Sequence, residues 1–87
     1  MDAQEIMTFP CEFHVKAMGK MAPDFVDHVA AIVRRHAPEF PEEAVSSRAS
    51  AGGNYTSVTI MIFAQSRAQL EAIYQDFHAD ERVMYVI

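Results

Sequence analysis

A ferredoxin-like α+β sandwich, a β-α-β-β-α-β chain folded into two layers, is predicted by three features of the sequence. A glycine turn in mid-chain, Gly52-Gly53, feeds a long strand through Phe63 whose alternate residues Val58, Ile60 and Ile62 are β-branched, which fixes a hairpin. A helical apolar pattern precedes that hairpin and a second one follows it. Alternating or apolar segments open and close the chain.

The first strand is read over Glu12 to Met18, where Phe13, Val15 and Ala17 share one face and Glu12, His14, Lys16 and Met18 the other. Gly19-Lys20-Met21-Ala22 breaks it. Pro23 at a first helical position, with Asp24 in the first turn, starts a helix, because proline needs no donor there and a carboxylate favours the positive dipole end. That helix is expected to run to about Ala37 before Pro38 closes it. Its stripe of Phe25, Val29, Ile32 and Val33 faces inward, and Asp27, Ala31 and Arg34 face outward.

After a proline-bounded loop through Pro41, Ala44 to Ala51 forms a weak edge strand alternating Val45, Ser47 and Ala49 against Ser46, Arg48 and Ser50. A two-residue Gly52-Gly53 turn sets Ser47 opposite Val58, so that Val45, Ala49, Val58, Ile60 and Ile62 share the buried face. A Gly53-Asn54 turn keeps that parity; a three-residue loop reverses it. Ser66 and Gln69 form a capping box for a second helix with the stripe Leu70, Ile73, Tyr74 and Phe77. Arg82 to Ile87 is a last apolar strand. Two helices with one apolar face each cover one side of an antiparallel sheet, and right-handed crossovers give strand order 4-1-3-2. Residues 1–10 read as an N-terminal arm and 11–87 as a single domain.

Bulk properties bound the function. The 87 residues, 51% hydrophobic and 22% charged, suit one packed core. Cys11 is the one cysteine, and the opening segment lacks the pattern of a secretion signal, so a reducing cytoplasm is expected. No segment has the roughly twenty apolar residues that span a bilayer. A net charge of -5 gives no general affinity for a phosphate backbone, so neither nucleic acid nor membrane is expected as a partner.

The uncovered sheet face carries the functional expectation. Tyr55, Ser57, Thr59, Met61 and Phe63 line it with His14, Lys16 and Met18, and Arg48 also points there. Tyr55, Met61, Phe63 and Met18 make an apolar patch that calls for a partner or a second copy of the chain. An RNA-recognition domain stacks bases on this face, but the first strand here offers His14 and Lys16 instead of a ring.

Catalytic and metal chemistry find little support. Cys11 and His14 do not complete a zinc site. His28 and His36 lie about 80 degrees apart around the helix and too far along it for one ion. His36 and His78 are expected to meet carbonyls at helix C-termini. Copper chaperones of this fold need paired cysteines, and acylphosphatases an arginine, in the first loop; here it holds Lys20 and no thiol. Asn54 suits a turn at positive φ. No carboxylate pair shares a face, and no enzyme activity, metal or cofactor is expected.

The set Phe9-Pro10, Phe13, Lys16, Met18-Gly19, His36-Ala37-Pro38, Gly53-Asn54-Tyr55 and Ser57-Val58 resembles the YbeD-like family of small bacterial proteins over nearly the whole chain. That resemblance implies likeness, in a free-standing form, to the ACT-type regulatory domains of amino-acid metabolism enzymes, including the regulatory domain of phosphoglycerate dehydrogenase. It implies a non-enzymatic regulatory module, dimeric, that senses a small metabolite or modulates a partner enzyme. The implied ligand site is the loop at Gly19 with Met18, Lys20 and Asp24. The alternative is an interaction domain that docks through its open sheet without a ligand, using His14, Lys16, Met18, Arg48, Tyr55, Thr59, Met61 and Phe63.

Overall fold

The computed structural model describes residues 8–86. Seven residues of the expected arm, 1–7, and the last residue of the expected final strand, Ile87, lie outside that range. The elements follow the order β1 Cys11–Lys20, α1 Phe25–Arg34, a 3-10 turn Glu42–Ala44, β2 Val45–Ala49, β3 Tyr55–Ala64, α2 Arg67–Ala79 and β4 Val83–Val86. The sheet order is β2-β3-β1-β4, the expected order read from the other edge. All its pairings are antiparallel, and both helices lie on one side.

The register between β2 and β3 is the expected one, with Ser47 opposite Val58 and Val45 opposite Ile60. The turn itself is longer than two residues. Ser50 N–H donates to the Tyr55 carbonyl at 2.9 Å and Gly53 N–H to the Ser50 carbonyl at 2.9 Å, so Ala51 through Asn54 all lie in the connection. Parity is unchanged because two residues were added, not one. Gly53 takes the left-handed conformation at φ 71, a role expected of Asn54. Asn54 instead offers its carbonyl to Met21 N–H at 3.0 Å, tying the hairpin to the chain after β1.

Several boundaries differ from the sequence reading, and β2 is shorter than expected at both ends. β1 continues through Gly19 and Lys20, since Thr56 and Tyr55 of β3 extend far enough to pair with them. α1 begins at Phe25, after Pro23, and ends at Arg34. Its last turn tightens as Ala37 and His36 N–H both bond the Val33 carbonyl, at 2.8 and 3.0 Å, and Pro38 cannot extend it.

The core is built from Val15 and Ala17 of β1, Phe25, Val29, Ile32 and Val33 of α1, Val58, Ile60, Ile62 and Ala64 of β3, and Leu70, Ile73 and Phe77 of α2. Full burial of each large side chain contributes about 1.5–3 kcal/mol. Tyr74 is half-buried, its ring edge-on to Phe13 and Phe77 at 6.4 and 6.1 Å between centroids. Ala49 is exposed although its partner in the register, Thr56, is on the buried side of β3. Phe40, in the loop read as a connection, belongs to the core. Arg34 holds it there by donating to the Phe40 carbonyl at 3.1 Å and lying over its ring at 4.0 Å.

Candidate interaction face and the Gly19 region

β1 and β3 place His14, Lys16, Met18 and Lys20 beside Met61, Thr59, Ser57 and Tyr55 on the sheet side away from the helices. Arg48 of β2 stands opposite Ser57, and Tyr85 of β4 opposite Met18. Arg48, Ser57, Met18 and Tyr85 therefore form one row across all four strands. The expected face residues His14, Lys16, Met18, Arg48, Tyr55, Thr59, Met61 and Phe63 are thus brought onto one surface. Phe63 and Tyr85 are strongly exposed, at 61% and 60%, whereas Met18, Tyr55 and Met61 are half-covered by their neighbours. Tyr85 and Lys20 were missed as members of this face. β4 is apolar on both sides, and a register shift between Met18 and Gly19 sets its pairing on β1, so alternation alone could not orient Tyr85.

The Gly19 region is organised differently. Strand alternation turns Gly19 toward the helices, where it is buried, and Met18 and Lys20 toward the open face. A Cβ at Gly19 would meet the Arg82 carbonyl and, at 2.6 Å, the Phe25 ring. Glycine is therefore required by close packing. Asp24, on the helical side, grips Arg82 through two hydrogen bonds of 3.1 and 2.8 Å. Met18, Gly19, Lys20 and Asp24 are consequently divided between the two sides of the sheet and do not converge on one surface.

Around Asp24 a polar cluster joins the helix ends. His28 Nε2 and Asp80 Oδ2 are 2.8 Å apart, Asp80 Oδ1 accepts Arg82 N–H at 2.9 Å, and Phe25 stacks beneath the His28 ring. The Arg82 hydrogen bond holds the Asp24 carboxyl below the ordinary carboxylate range and raises Arg82 in return. Burial pushes Asp80 up, but the His28 and backbone hydrogen bonds together outweigh it and leave its pKa lowered.

Farther along, His36 Nε2 meets Asp76 Oδ2 at 2.7 Å, with Arg35 at 3.5 Å from the same oxygen. The His36 hydrogen bond lowers the Asp76 pKa. His36 thus bridges the two helices instead of capping a carbonyl, because α2 presents Asp76 within reach. Its own carbonyl accepts Gln69 Nε2–H at 2.8 Å. These contacts engage the His28 and His36 imidazoles and the Asp80 and Asp76 carboxylates in pairs that tie the helix ends together.

A groove of about 320 Å³ adjoins the open face where β3 runs on past the end of β2. Phe40, Pro41, Met61 and Phe63 supply its apolar walls, and Gln65 and Gln69 its polar end. Among the described residues no helix is long and apolar enough to cross a membrane.

The family model described as a protein of unknown function, DUF493, matches residues 4–87. The chain belongs to the DUF493 family. It is 37% identical over 84 residues to a UPF0250 protein of Paraburkholderia phytofirmans, covering 97% of this chain and 94% of that one. With a UPF0250 protein of Nitrosomonas europaea it shares 38% identity over 90% of each chain. These relatives bear out the family resemblance read from the sequence. Among solved structures, the DUF493 chain is similar to the H. pylori protein HP0495, with a TM-score of 0.70 at 10% identity, covering 93% of this chain and 85% of that one. It is also similar to the ACT domain from GTP pyrophosphokinase of Chlorobium tepidum, with a TM-score of 0.64 at 12% identity and coverage of 87% and 84%. At these identities the likeness shows the fold: an ACT-like, ferredoxin-like sandwich.

Proposed function

We propose that this DUF493 chain is a non-enzymatic regulatory or binding module that modulates a partner protein by docking through the open face of its sheet. The carrying observation is the contrast between the two sides. On the helical side the polar groups of the Gly19 region are engaged with one another and the glycine is packed under Phe25. On the open side exposed Phe63 lies beside Met61 and exposed Tyr85 beside Met18, two apolar groupings at opposite ends of the face, and grouped apolar exposure marks interaction surfaces. The ACT-like fold supports a regulatory rather than a catalytic role, as fold-level analogy.

A second reading, sensing of a small metabolite, is favoured by the groove beside Met61 and Phe63, whose volume and apolar lining suit a small molecule. We place the chain in the cytoplasm and take its working form to be a dimer, which sedimentation tests directly.

The test of docking is affinity capture from the native cell extract with three baits: wild type, Met61→Asp and Ala31→Asp. Ala31 is exposed on α1, remote from the open face. The reading expects one protein set retained by wild type and Ala31→Asp and lost with Met61→Asp. Equal retention by all three contradicts it. A metabolite co-purifying with the chain and lost on filling the groove through Gln69→Trp identifies the second reading instead.

A further inference from the structure

The distribution of charge on the open face specifies what it receives. Although the net charge is -5, the seven Lys and Arg residues are not spread evenly. Arg82 is held by Asp24, Arg35 by Asp76, and Arg34 by the carbonyls of its own loop. Lys16, Lys20 and Arg48 all stand on the open face, and among the described residues none of them has a carboxylate partner. Glu12 is the one acidic residue in any of the four strands, and it lies at the far end, opposite Phe63.

The register arranges these cations around hydroxyls. Lys16 is opposite Thr59, which is opposite Ser46; one row away, Ser57 is opposite Arg48. Lys16 and Arg48 thus flank the Ser57 and Thr59 hydroxyls from either side of β3, their backbones about 12 Å apart across two strand spacings and two residues of strand rise. They border a shallow hollow of about 300 Å³. Tyr85 closes the Arg48–Ser57 row at the opposite edge of the sheet.

Resting on the docking reading above, we infer that the open face receives an acidic segment of a partner protein, its carboxylates held by Lys16 and Arg48 and its apolar side chains by Tyr85 and Met18. Carboxylates match lysine and arginine through charge-assisted hydrogen bonds. Tyrosine, methionine and arginine are the residues enriched in protein interfaces. A second copy docked face to face would set Lys16, Lys20 and Arg48 against the same three cations, which opposes an isologous pair. A phosphate backbone draws its affinity from the release of many counterions, which three cations on a face shared with Met18, Met61 and Tyr85 do not supply. The hollow is too open to bury most of a small anion, as ligand pockets do.

The test is a two-dimensional amide NMR titration of the full chain with a short blocked glutamate-rich peptide carrying one phenylalanine, at low and at physiological ionic strength. The same titration is run with oligothymidylate of equal length and with inorganic phosphate. The expected result is saturable shifts at Lys16, Ser46, Arg48, Ser57 and Thr59, weakened by salt and roughly tenfold weaker in the Lys16→Glu/Arg48→Glu variant. Arg35→Glu, on the helical side, is expected to bind as wild type, and each variant is first checked for a native spectrum. Tighter binding of oligothymidylate or phosphate at these amides overturns the assignment to a protein segment. Peptide binding elsewhere, or indifference to the double substitution, overturns it as well. If the peptide fails while Met61→Asp still abolishes partner capture, the docking face stands and its acidic partner does not; if Met61→Asp leaves capture intact, the docking reading itself falls.

Discussion

Replacing Gly19 by alanine puts a methyl group where the Arg82 carbonyl and two carbons of the Phe25 ring already sit, the ring atoms at 2.6 Å. Neither neighbour can yield easily. Phe25 is fully buried, and the Arg82 carbonyl immediately precedes β4, whose Val83 pairs with Gly19. Overpacking of a well-filled core costs about 1–3 kcal/mol, and a rigid carbonyl opposite the new methyl argues for the upper end. For a domain of this size each kcal/mol moves Tm by about 4–8 °C, so a loss of roughly 10–20 °C is expected.

Two companion substitutions calibrate the result. Gly52→Ala meets only the Asn54 side-chain amide, at 3.3 Å, which can rotate away, and should fall within about 0.5 kcal/mol of wild type. Gly53→Ala forces a methyl-bearing residue to φ 71 and should cost about 1–2 kcal/mol without any clash. Differential scanning calorimetry and urea titration measure all three. A Gly19→Ala protein melting within about 2 °C of wild type refutes the packing argument and returns Gly19 to the class of glycines kept for a ligand.

Phe40→Ala empties a core position over which Arg34 lies, and a loss of about 3–5 kcal/mol by urea titration is expected. Ser66→Ala removes the acceptor for Gln69 N–H at 3.2 Å and should cost about 1 kcal/mol, with greater amide exchange confined to the first turn of α2. Acid unfolding follows from Asp24, Asp76 and Asp80, each below its ordinary value of 3.8 in the folded chain. The unfolded chain then binds more protons, so their contribution is complete above the ordinary carboxylate range and disappears as pH falls through the lowered folded values. Asp80→Asn should flatten the fall of the urea midpoint below about pH 4, and an unchanged slope would show that the His28 contact does not bias its titration.

The fold was legible because local patterns agreed with one another. The glycines before β3 and the alternation on either side fixed the register, and the stripes Phe25, Val29, Ile32, Val33 and Leu70, Ile73, Phe77 fixed the helix faces. The capping box was legible only in part. Ser66 does accept Gln69 N–H, but the Gln69 amide turns to Gln65 N–H and to the His36 carbonyl, partners that only the packed helices bring together. Phe40 was hidden because a lone aromatic between prolines carries no period. The His28–Asp80, His36–Asp76 and Asp24–Arg82 pairs join residues 40 to 58 positions apart, so no spacing rule could reveal them. The open face was readable on β1 and β3, whose alternation is strict, and unreadable on β4, where the shift beside Gly19 decides which way Tyr85 points.

The most direct test of the open sheet as the working surface is photo-crosslinking in living cells, with a light-activated phenylalanine analogue introduced at Thr59 in one strain and at Ala31 in another. Thr59 lies mid-face between Lys16 and Ser46, and Ala31 lies on the outer side of α1. Discrete adducts to another protein from position 59 and none from position 31 are the predicted result. Adducts from position 31 with none from position 59 would place the contact on the helices and contradict the account.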